Sequence, residues 1–365
     1  MRMNSPKPTA LQAIMTIMLT VGITNHVFII PALLQVAKRD AWFSVILSIV
    51  PFALLTLLIA YISARTKGKS LPDWLEGSYG KMVSVPFKLI SAAYFLGTAW
   101  FALFDTIMWT KVTFLPYTPM IITAAVLMLI CLIAAQLGVN SMAYASGVLL
   151  PFVVLLGFYV ATVNVQYKDY HQLLPLLEHG WAPPLKGVIY ACTGLFEIFF
   201  LLFLQPYLKA PLTNKHFVIV GFILVGLTLG PLTGSIAEFN PHEASLQRYP
   251  AYEQWRIAGF GKYVSQTDFF SIYQWLAGVT VRIAVALFIA TDIWNISKKH
   301  QRSALLLLYA VGLTLLCLTT FTDIQFQHLM IRFMFPFNTG LILIVTLLLA
   351  LAVFISAHKK GESGT

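Results

Sequence analysis

Ten uninterrupted apolar runs constrain this chain more than any other feature. They lie at approximately 10–36, 41–64, 84–110, 117–135, 141–164, 187–208, 215–237, 270–296, 303–322 and 332–357. A bilayer core takes about 20 apolar residues per helix. The runs are continuous rather than alternating, which excludes a β-barrel. Backbone polar groups cannot stay bare in lipid, so each run must be helical or shielded by other helices. The predicted fold class is all-α: a polytopic membrane protein of about ten transmembrane helices, folded as one transmembrane domain over residues 1–365. Only 10% of residues are charged, against roughly 25% in soluble domains. That excludes a cytosolic enzyme and a disordered chain alike. The first run has no small-residue cleavage site and reads as a retained helix, not a signal peptide.

The formal net charge of +10 belongs to loops facing the cytoplasm, not to nucleic-acid binding. With the N-terminus inside, the inner side holds Arg2, Lys7, Arg65, Lys67, Lys69, Lys81, Lys209, Lys215, Lys298, Lys299, Arg302, Lys359 and Lys360. Only Asp73, Glu76 and Glu362 oppose them. The outer side is nearly balanced: Lys38, Arg39, Lys111, Lys168, Lys186, Arg248, Arg256, Lys262 and Arg332 face Asp40, Asp169, Glu178, Glu238, Glu243, Glu253, Asp268 and Asp323. An even number of spans returns the C-terminus to the cytoplasm. Trp42, Trp74, Trp109, Trp181, Trp255, Trp275 and Trp294 fall at predicted span ends or in loops, where indoles anchor to the interface, and Trp100 alone is mid-span. The longer outer loops, 165–186 and 238–269, each have room for a short interfacial helix.

Two spans carry break signals at their centres. Span 1 reads Gly22-Ile23-Thr24-Asn25-His26 with Pro31 beyond, and span 6 reads Gly194-Leu195-Phe196-Glu197 with Pro206 beyond. They open two halves of five spans, about 10–164 and 187–357. Five is odd, so the second half enters from the opposite side, as in an inverted-repeat transporter with paired broken helices at a midplane site. The competing reading is that the glycines only allow close helix packing.

Lys88, Asp105, Glu197, Arg282 and Asp292 are ionisable residues inside apolar spans. Lys88 and Asp292 lie near inner ends, where Lys88 can snorkel. Glu197 and Arg282 both fall near the midplane, where an isolated charge is costly, so a mutual pair is expected. Such a pair would be either a gate at a ligand site or a structural element, and a neutral Glu197 would serve as well. His26 is a candidate ligand group, or simply an interior hydrogen-bonded histidine. Tyr94 and Thr98 share a face of span 3, where they line a pocket or merely pack. The cysteines Cys131, Cys192 and Cys317 sit inside apolar runs with no metal-ligand spacing. No phosphate loop, dinucleotide fingerprint or nucleophile triad is present. No catalytic residue, metal or cofactor is therefore expected.

Three stretches carry a family resemblance. One is the broken first span ending Ile29-Ile30-Pro31. Another is Leu173-Leu174-Pro175-Leu176-Leu177, Gly180-Trp181-Ala182-Pro183-Pro184-Leu185-Lys186-Gly187, Phe196-Glu197 and Gln205-Pro206-Tyr207-Leu208-Lys209. The third is Tyr249-Pro250-Ala251-Tyr252, Arg256-Ile257-Ala258-Gly259, Thr267-Asp268 and Gln274-Trp275. Together, over essentially the whole chain, they resemble the permease-like B subunits of spore germinant receptors (GerAB-type). The resemblance implies the amino acid–polyamine–organocation superfamily and a LeuT-like 5+5 inverted repeat. It implies a place in the spore inner membrane, partner A and C subunits, and a small nutrient such as an amino acid or sugar as ligand. It also implies a pocket between the breaks of spans 1 and 6, walled by spans 3 and 8: Gly22, Thr24, Tyr94, Thr98, Gly194, Leu195, Ile283 and Leu287. The family's first break leads into a Leu/Thr-Leu-Pro stretch. Here Asn25 and His26 follow Gly22 instead, and both join the candidate set with Glu197.

The alternative function is an ion-coupled amino-acid permease. Its coupling site would use paired hydroxyls on span 8 or a basic residue on span 5. Span 8 has only the scattered Ser271, Tyr273, Thr280 and Thr291, and span 5 has no Lys or Arg.

Overall fold

The computed structural model describes residues 7–66, 68–259, 266–318 and 321–362. Arg2, Lys67, Lys262 and residues 260–265 of the second outer loop lie outside them, as do the side chains of Lys359, Lys360 and Glu362. Sixteen α-helices are present among the described residues, in an all-helical fold.

Span 1 is α1 (Ala10–Ile23), a π-helical turn over Thr24–Phe28, and α2 (Ile30–Ala37). Proline supplies no N–H to continue an α-helical ladder, and Pro31 sits in the first turn of α2. The chain widens just before it, and Ile29 N–H reaches back five residues to Thr24 O at 3.1 Å. A turn at Lys38–Asp40, with Lys38 at φ 53°, folds the chain into α3 (Ala41–Thr66). Then follow α4 (Leu71–Tyr79), α5 (Lys81–Thr113), α6 (Met120–Leu137) and α7 (Val139–Val163). Span 6 is α8 (Ala182–Leu195), a 3₁₀ turn over Phe196–Phe199, and α9 (Phe200–Leu204). The rest is α10 (Asn214–Phe239), α11 (Pro241–Leu246), α12 (Pro250–Ile257), α13 (Phe270–Asp292), α14 (Lys299–Leu316), α15 (Asp323–Leu329) and α16 (Phe335–Glu362).

Eight described helical stretches are long and apolar enough to cross a membrane. The first, Ala10–Thr66, holds two crossings either side of the turn at Lys38–Asp40. α14 opens on Lys299, His300, Gln301 and Arg302, which lower its hydropathy, and supplies a further crossing. The ten predicted spans are thus all helical. Span 10 begins earlier than the apolar run suggests, at Asp323, and a second π turn over Met330–Met334 carries Arg332 inside the helix instead of at its mouth.

Several packing pairs recur when each helix of the first half is exchanged for its counterpart in the second. α3 packs on α8, and its counterpart α10 packs on α1. α1 packs on α7, as α8 does on α16. α6 packs on α13, as α14 does on α5. This is the pattern of two like halves interleaved about α5 and α13. α13 lies at the centre, against α1, α5, α6, α7 and α14. Gly278 brings α13 close to α1, since a Cβ there would lie 3.2 Å from Ile23 Cβ.

The loops gather at two ends. At the basic end, Lys209 N–H donates to Pro8 O at 2.9 Å and Lys7 Nζ to Pro206 O at 3.1 Å. α4 also lies here, pinned through Asp73 to Asn295 and through the Tyr79 hydroxyl to Ala352 O. Lys88 does not reach freely to the interface; it pairs with Glu76 of α4 at 3.0 Å. At the opposite end Arg39 pairs with Glu178 at 2.6 Å, and Leu177 N–H donates to Asp40. Three of the expected interfacial tryptophans are core residues: Trp109, Trp255 and Trp275 are all buried, and Trp109 stacks on Trp275 at 4.2 Å. Span-end position did not separate an indole facing headgroups from one facing α12, which covers this end.

Candidate functional site

The π turn of span 1 packs on α10 and on α8, which leads into the 3₁₀ turn of span 6. Asn25 of the π turn is fully buried there. Its Nδ2 donates to Val21 O at 3.0 Å, and its Oδ1 accepts from the Thr228 hydroxyl of α10 at 3.1 Å. Gly194 is what lets it sit there, because a Cβ on Gly194 would come within 2.6 Å of Asn25 Oδ1. Gly22 faces α10, with Leu227 Cδ2 3.1 Å from the position of a Cβ. Both glycines therefore allow close packing beside helices that also depart from α geometry, so the two sequence readings describe one arrangement.

Beside the turns lies the only ion pair among the described residues with both side chains within 2% of complete burial. Glu197 is 2% exposed and Arg282 is 1% exposed. The contact is bidentate: Nη2 to Oε1 at 2.5 Å and Nη1 to Oε2 at 2.7 Å. Nη1 also donates to Thr20 O of α1 at 2.8 Å. One guanidinium on α13 thus holds span 6 by its side chain and span 1 by its backbone. Paired charge-assisted bonds of this geometry are strong, and they offset the cost of burying both ions. The guanidinium also lies over the Phe200 ring, 5.8 Å from its centroid.

Tyr94 of α5 also packs edge-on to Phe200, with ring centroids 6.1 Å apart, and on Phe199. Its hydroxyl, the Thr24 hydroxyl and Arg282 Nε are buried with no hydrogen-bond partner. Such groups are uncommon in native structures and call for an explanation. Thr98 is buried one turn on from Tyr94, its hydroxyl on Phe95 O at 2.9 Å. Leu195 is buried at the end of α8.

Other candidates are placed elsewhere. Ile283 and Leu287 are buried on α13. At about 100° per residue they lie roughly 100° and 140° around that helix from Arg282, so α13 presents Gly278 and Arg282 to span 1 instead. His26 turns away from the pair. Its Nδ1 lies 2.6 Å from Gly22 O and donates to it, and the ring lines a separate cavity of about 20 Å³ with Trp255, Gln274 and Trp275.

The site is closed from both ends by polar contacts that run patterns in the sequence do not reveal. Opposite the basic end, Arg248 bonds both Asp105 of α5 and, through Nε at 3.0 Å, Asp323 of α15. Burial opposes the Arg248 charge, and Asp105, Tyr249 and Asp323 together outweigh it, holding the guanidinium above its usual range. Beneath this clamp Phe28 packs edge-on against Phe101 and Trp275. At the basic end the Tyr207 hydroxyl donates to Asp292, which also faces Arg302 at 3.6 Å. Asp105 and Asp292 were conspicuous as charges in apolar runs; Arg248 and Tyr207, which bond them, are distant in sequence and had no local signal.

Comparison with known proteins follows this architecture. A family model described as "Spore germination protein", of the spore permease type, matches residues 8–327. Spore germination protein XB of Bacillus anthracis is 35% identical over 339 residues, covering 93% of this chain and 95% of that protein. Spore germination protein KB of Bacillus subtilis (strain 168) is 23% identical over 303 residues, 81% of this chain and 80% of its own length. Among solved structures, MhsT in complex with L-phenylalanine superposes with a TM-score of 0.65 at 12% identity, covering 97% of this chain and all of that one. That likeness concerns the fold, which is the LeuT-like one. The chain is a multi-pass, permease-like membrane protein and belongs to the spore germination protein family of spore permeases.

Proposed function

We propose that this chain is the nutrient-sensing membrane subunit of a spore germinant receptor, and that it binds a small amino acid or sugar at the junction of the two non-α turns. In this reading it is one transmembrane domain of two repeats, about 10–164 and 187–357, in the spore inner membrane with both termini cytoplasmic. It acts with A and C subunits. The observation that carries the reading is the Arg282 contact set. A single buried guanidinium ties α13 to both broken helices, through Glu197 Oε1 and Oε2 and through Thr20 O. A ligand that entered here would have to alter those bonds, and with them the fit of spans 1 and 6 against the rest. Only such a differential interaction lets a ligand shift a conformational equilibrium. The described residues of α13 offer no paired hydroxyls for a coupling ion; the Thr291 hydroxyl is spent on Leu287 O at 2.9 Å.

The test is reconstitution of the chain alone in liposomes with radiolabelled amino acids and sugars, under imposed proton and sodium gradients. Binding without accumulation is expected. Sustained gradient-driven accumulation would replace the receptor reading with that of an ion-coupled permease.

A further inference from the structure

We propose that the groove between α6 and α14 holds one acyl chain of an anionic phospholipid, whose phosphate lies on Lys299, His300 and Gln136 at the basic end. The proposal uses no residue of the junction between spans 1 and 6 and does not depend on the receptor reading.

α6 and α14 pack on each other and leave between them a cavity of about 210 Å³, against about 20 Å³ beside His26. Its floor is Met128 and Ala310, both buried, and its rims are the exposed Leu129, Leu307, Val311 and Leu315. The gap stays open because Ala125 and Ala310 stop short where larger side chains would fill it. The one hydroxyl on the walls, that of Thr314, is spent on Ala310 O at 2.8 Å. A polar guest would find no side chain to bond and would lose its hydration. Both helices are membrane spans, so the open side meets hydrocarbon. A helix is about 10–12 Å across, too wide for a cavity of this volume. A single hydrocarbon chain is slender enough.

The same two helix faces turn polar at the basic end. At about 100° per residue, the stripe of Leu307 and Thr314 continues back to His300, and that of Leu129 and Leu132 continues on to Gln136. Lys299 stands beside His300 at the start of α14. The two helix ends meet around one ring. A Cβ on Gly138, just past α6, would lie 3.8 Å from Phe288 Cε2, and the Arg302 guanidinium of α14 lies over that ring, 5.1 Å from its centroid. Gln136, Lys299 and His300 are exposed, and no side-chain hydrogen bond or ion pair holds them among the described residues. The described acids of this end are taken: Glu76 by Lys88, Asp292 by Arg302 and Tyr207, and Asp73 by Asn295. A lipid phosphate supplies the missing anion, with acceptor oxygens for the ring N–H of His300 and the amide of Gln136. The distances agree. The groove begins about 12 Å along α14 from Lys299 and about 6 Å along α6 from Gln136, and runs on for roughly 12 Å. One leaflet holds about 15 Å of hydrocarbon, so a chain hanging from that headgroup passes along the groove.

The experiment uses the full-length chain purified in detergent. Its melting temperature is followed against added dioleoylphosphatidylglycerol or dioleoylphosphatidylcholine, which share their acyl chains, and native mass spectrometry counts bound lipid. One phosphatidylglycerol should be retained, and it should half-saturate at a concentration about tenfold lower than phosphatidylcholine. Val311→Trp puts an indole into the groove and should remove the retained lipid whatever its headgroup. Lys299→Gln together with His300→Gln should erase the preference and leave the weaker binding common to both lipids. Lys215→Gln removes an exposed charge from α10, which packs on α3 and α1, and should change neither. Three results would overturn the proposal: equal half-saturation by the two lipids, undiminished lipid in Val311→Trp, or the same loss of preference in Lys215→Gln. A photoreactive residue at Leu307, activated in cell membranes, gives a readout that needs no groove-filling variant. A lipid-sized adduct is expected there, and a protein-sized adduct would give the groove to a partner instead.

Discussion

A neutral substitution at either end of the buried pair strands the other charge, whereas removing both strands neither. Glu197→Gln and Arg282→Gln should each lower thermal stability of the detergent-solubilised chain, by about 3–5 kcal/mol at a fully buried pair. The double change should cost clearly less than the sum. An additive cycle would mean the two residues do not couple. The two glycines should separate as well. Gly194→Ala drives a methyl to 2.6 Å from Asn25 Oδ1, an atom held in place by Thr228. It should reduce both stability and nutrient response. Gly22→Ala meets only the flexible tip of Leu227 at 3.1 Å and should keep most of the response. Equal loss in both variants would show that the Asn25 seat is not special. The charges of the pair were legible from sequence, because a Glu and an Arg at mid-span depth have few ways to survive. The Thr20 carbonyl was not, since a backbone acceptor has no residue identity to read. Nor was the face of α13: every residue from Val281 to Thr291 is buried, so no polar stripe fixed the helix's rotation.

The breaks in spans 1 and 6 were legible from glycine, polar residues and a following proline, and the structure puts non-α turns at Thr24–Phe28 and Phe196–Phe199. The short helix α4 was passed over, although Ser70 caps it by accepting from Asp73 N–H and Pro72 starts its first turn. Nine amphipathic residues between two long apolar runs make a weak signal beside them. α12 was foreseen only as a possible interfacial helix. It is a cover, with Trp255 Nε1 donating to Gln274 of α13 at 3.1 Å and Gln254 Nε2 bonding Ser235 of α10 at 2.9 Å. The clamp beside it should be separable from the midplane site. Arg248→Gln leaves Asp105 and Asp323 without their shared cation. It should raise the rate at which a maleimide labels a cysteine placed at Ser271, on the cavity that also holds His26. Added salt should speed labelling less in the variant than in the parent, because screening acts on the clamp's partly exposed Asp323 arm. Unchanged labelling in Arg248→Gln would mean that the cover is held by its aromatic packing alone.

At the basic end the described residues connect the spans by short turns, α4, and the strap of Lys7 and Pro8 on Pro206 and Lys209. In the receptor reading, movement of span 6 must pull directly on that strap, so partner subunits should be required for output. The expected result is a germination response when the chain is present with its A and C subunits and none without them. A response from spores lacking either partner gene would sink this view. The overall architecture was legible because hydropathy writes membrane spans in long runs. The LeuT-like arrangement followed from the paired break signals and the family resemblance, but the individual contacts between helices did not, because helices in lipid meet by shape and scattered polar contacts, which composition does not encode.

The separation of Glu197 and Arg282 in sequence, 85 residues, bears on how the chain is made. Synthesis runs from the N-terminus, so span 6 reaches the bilayer with its carboxylate before span 7 and before the guanidinium of span 8 that matches it. During that interval the half-finished protein holds Glu197 without its cation, and α13 then arrives with an arginine whose partners, the Glu197 carboxylate and the Thr20 carbonyl, are already in place. Each ion is the other's ticket for insertion. The contact that ties the finished bundle together thus also sets an order of assembly: Glu197 stays unpaired until the eighth span is in place.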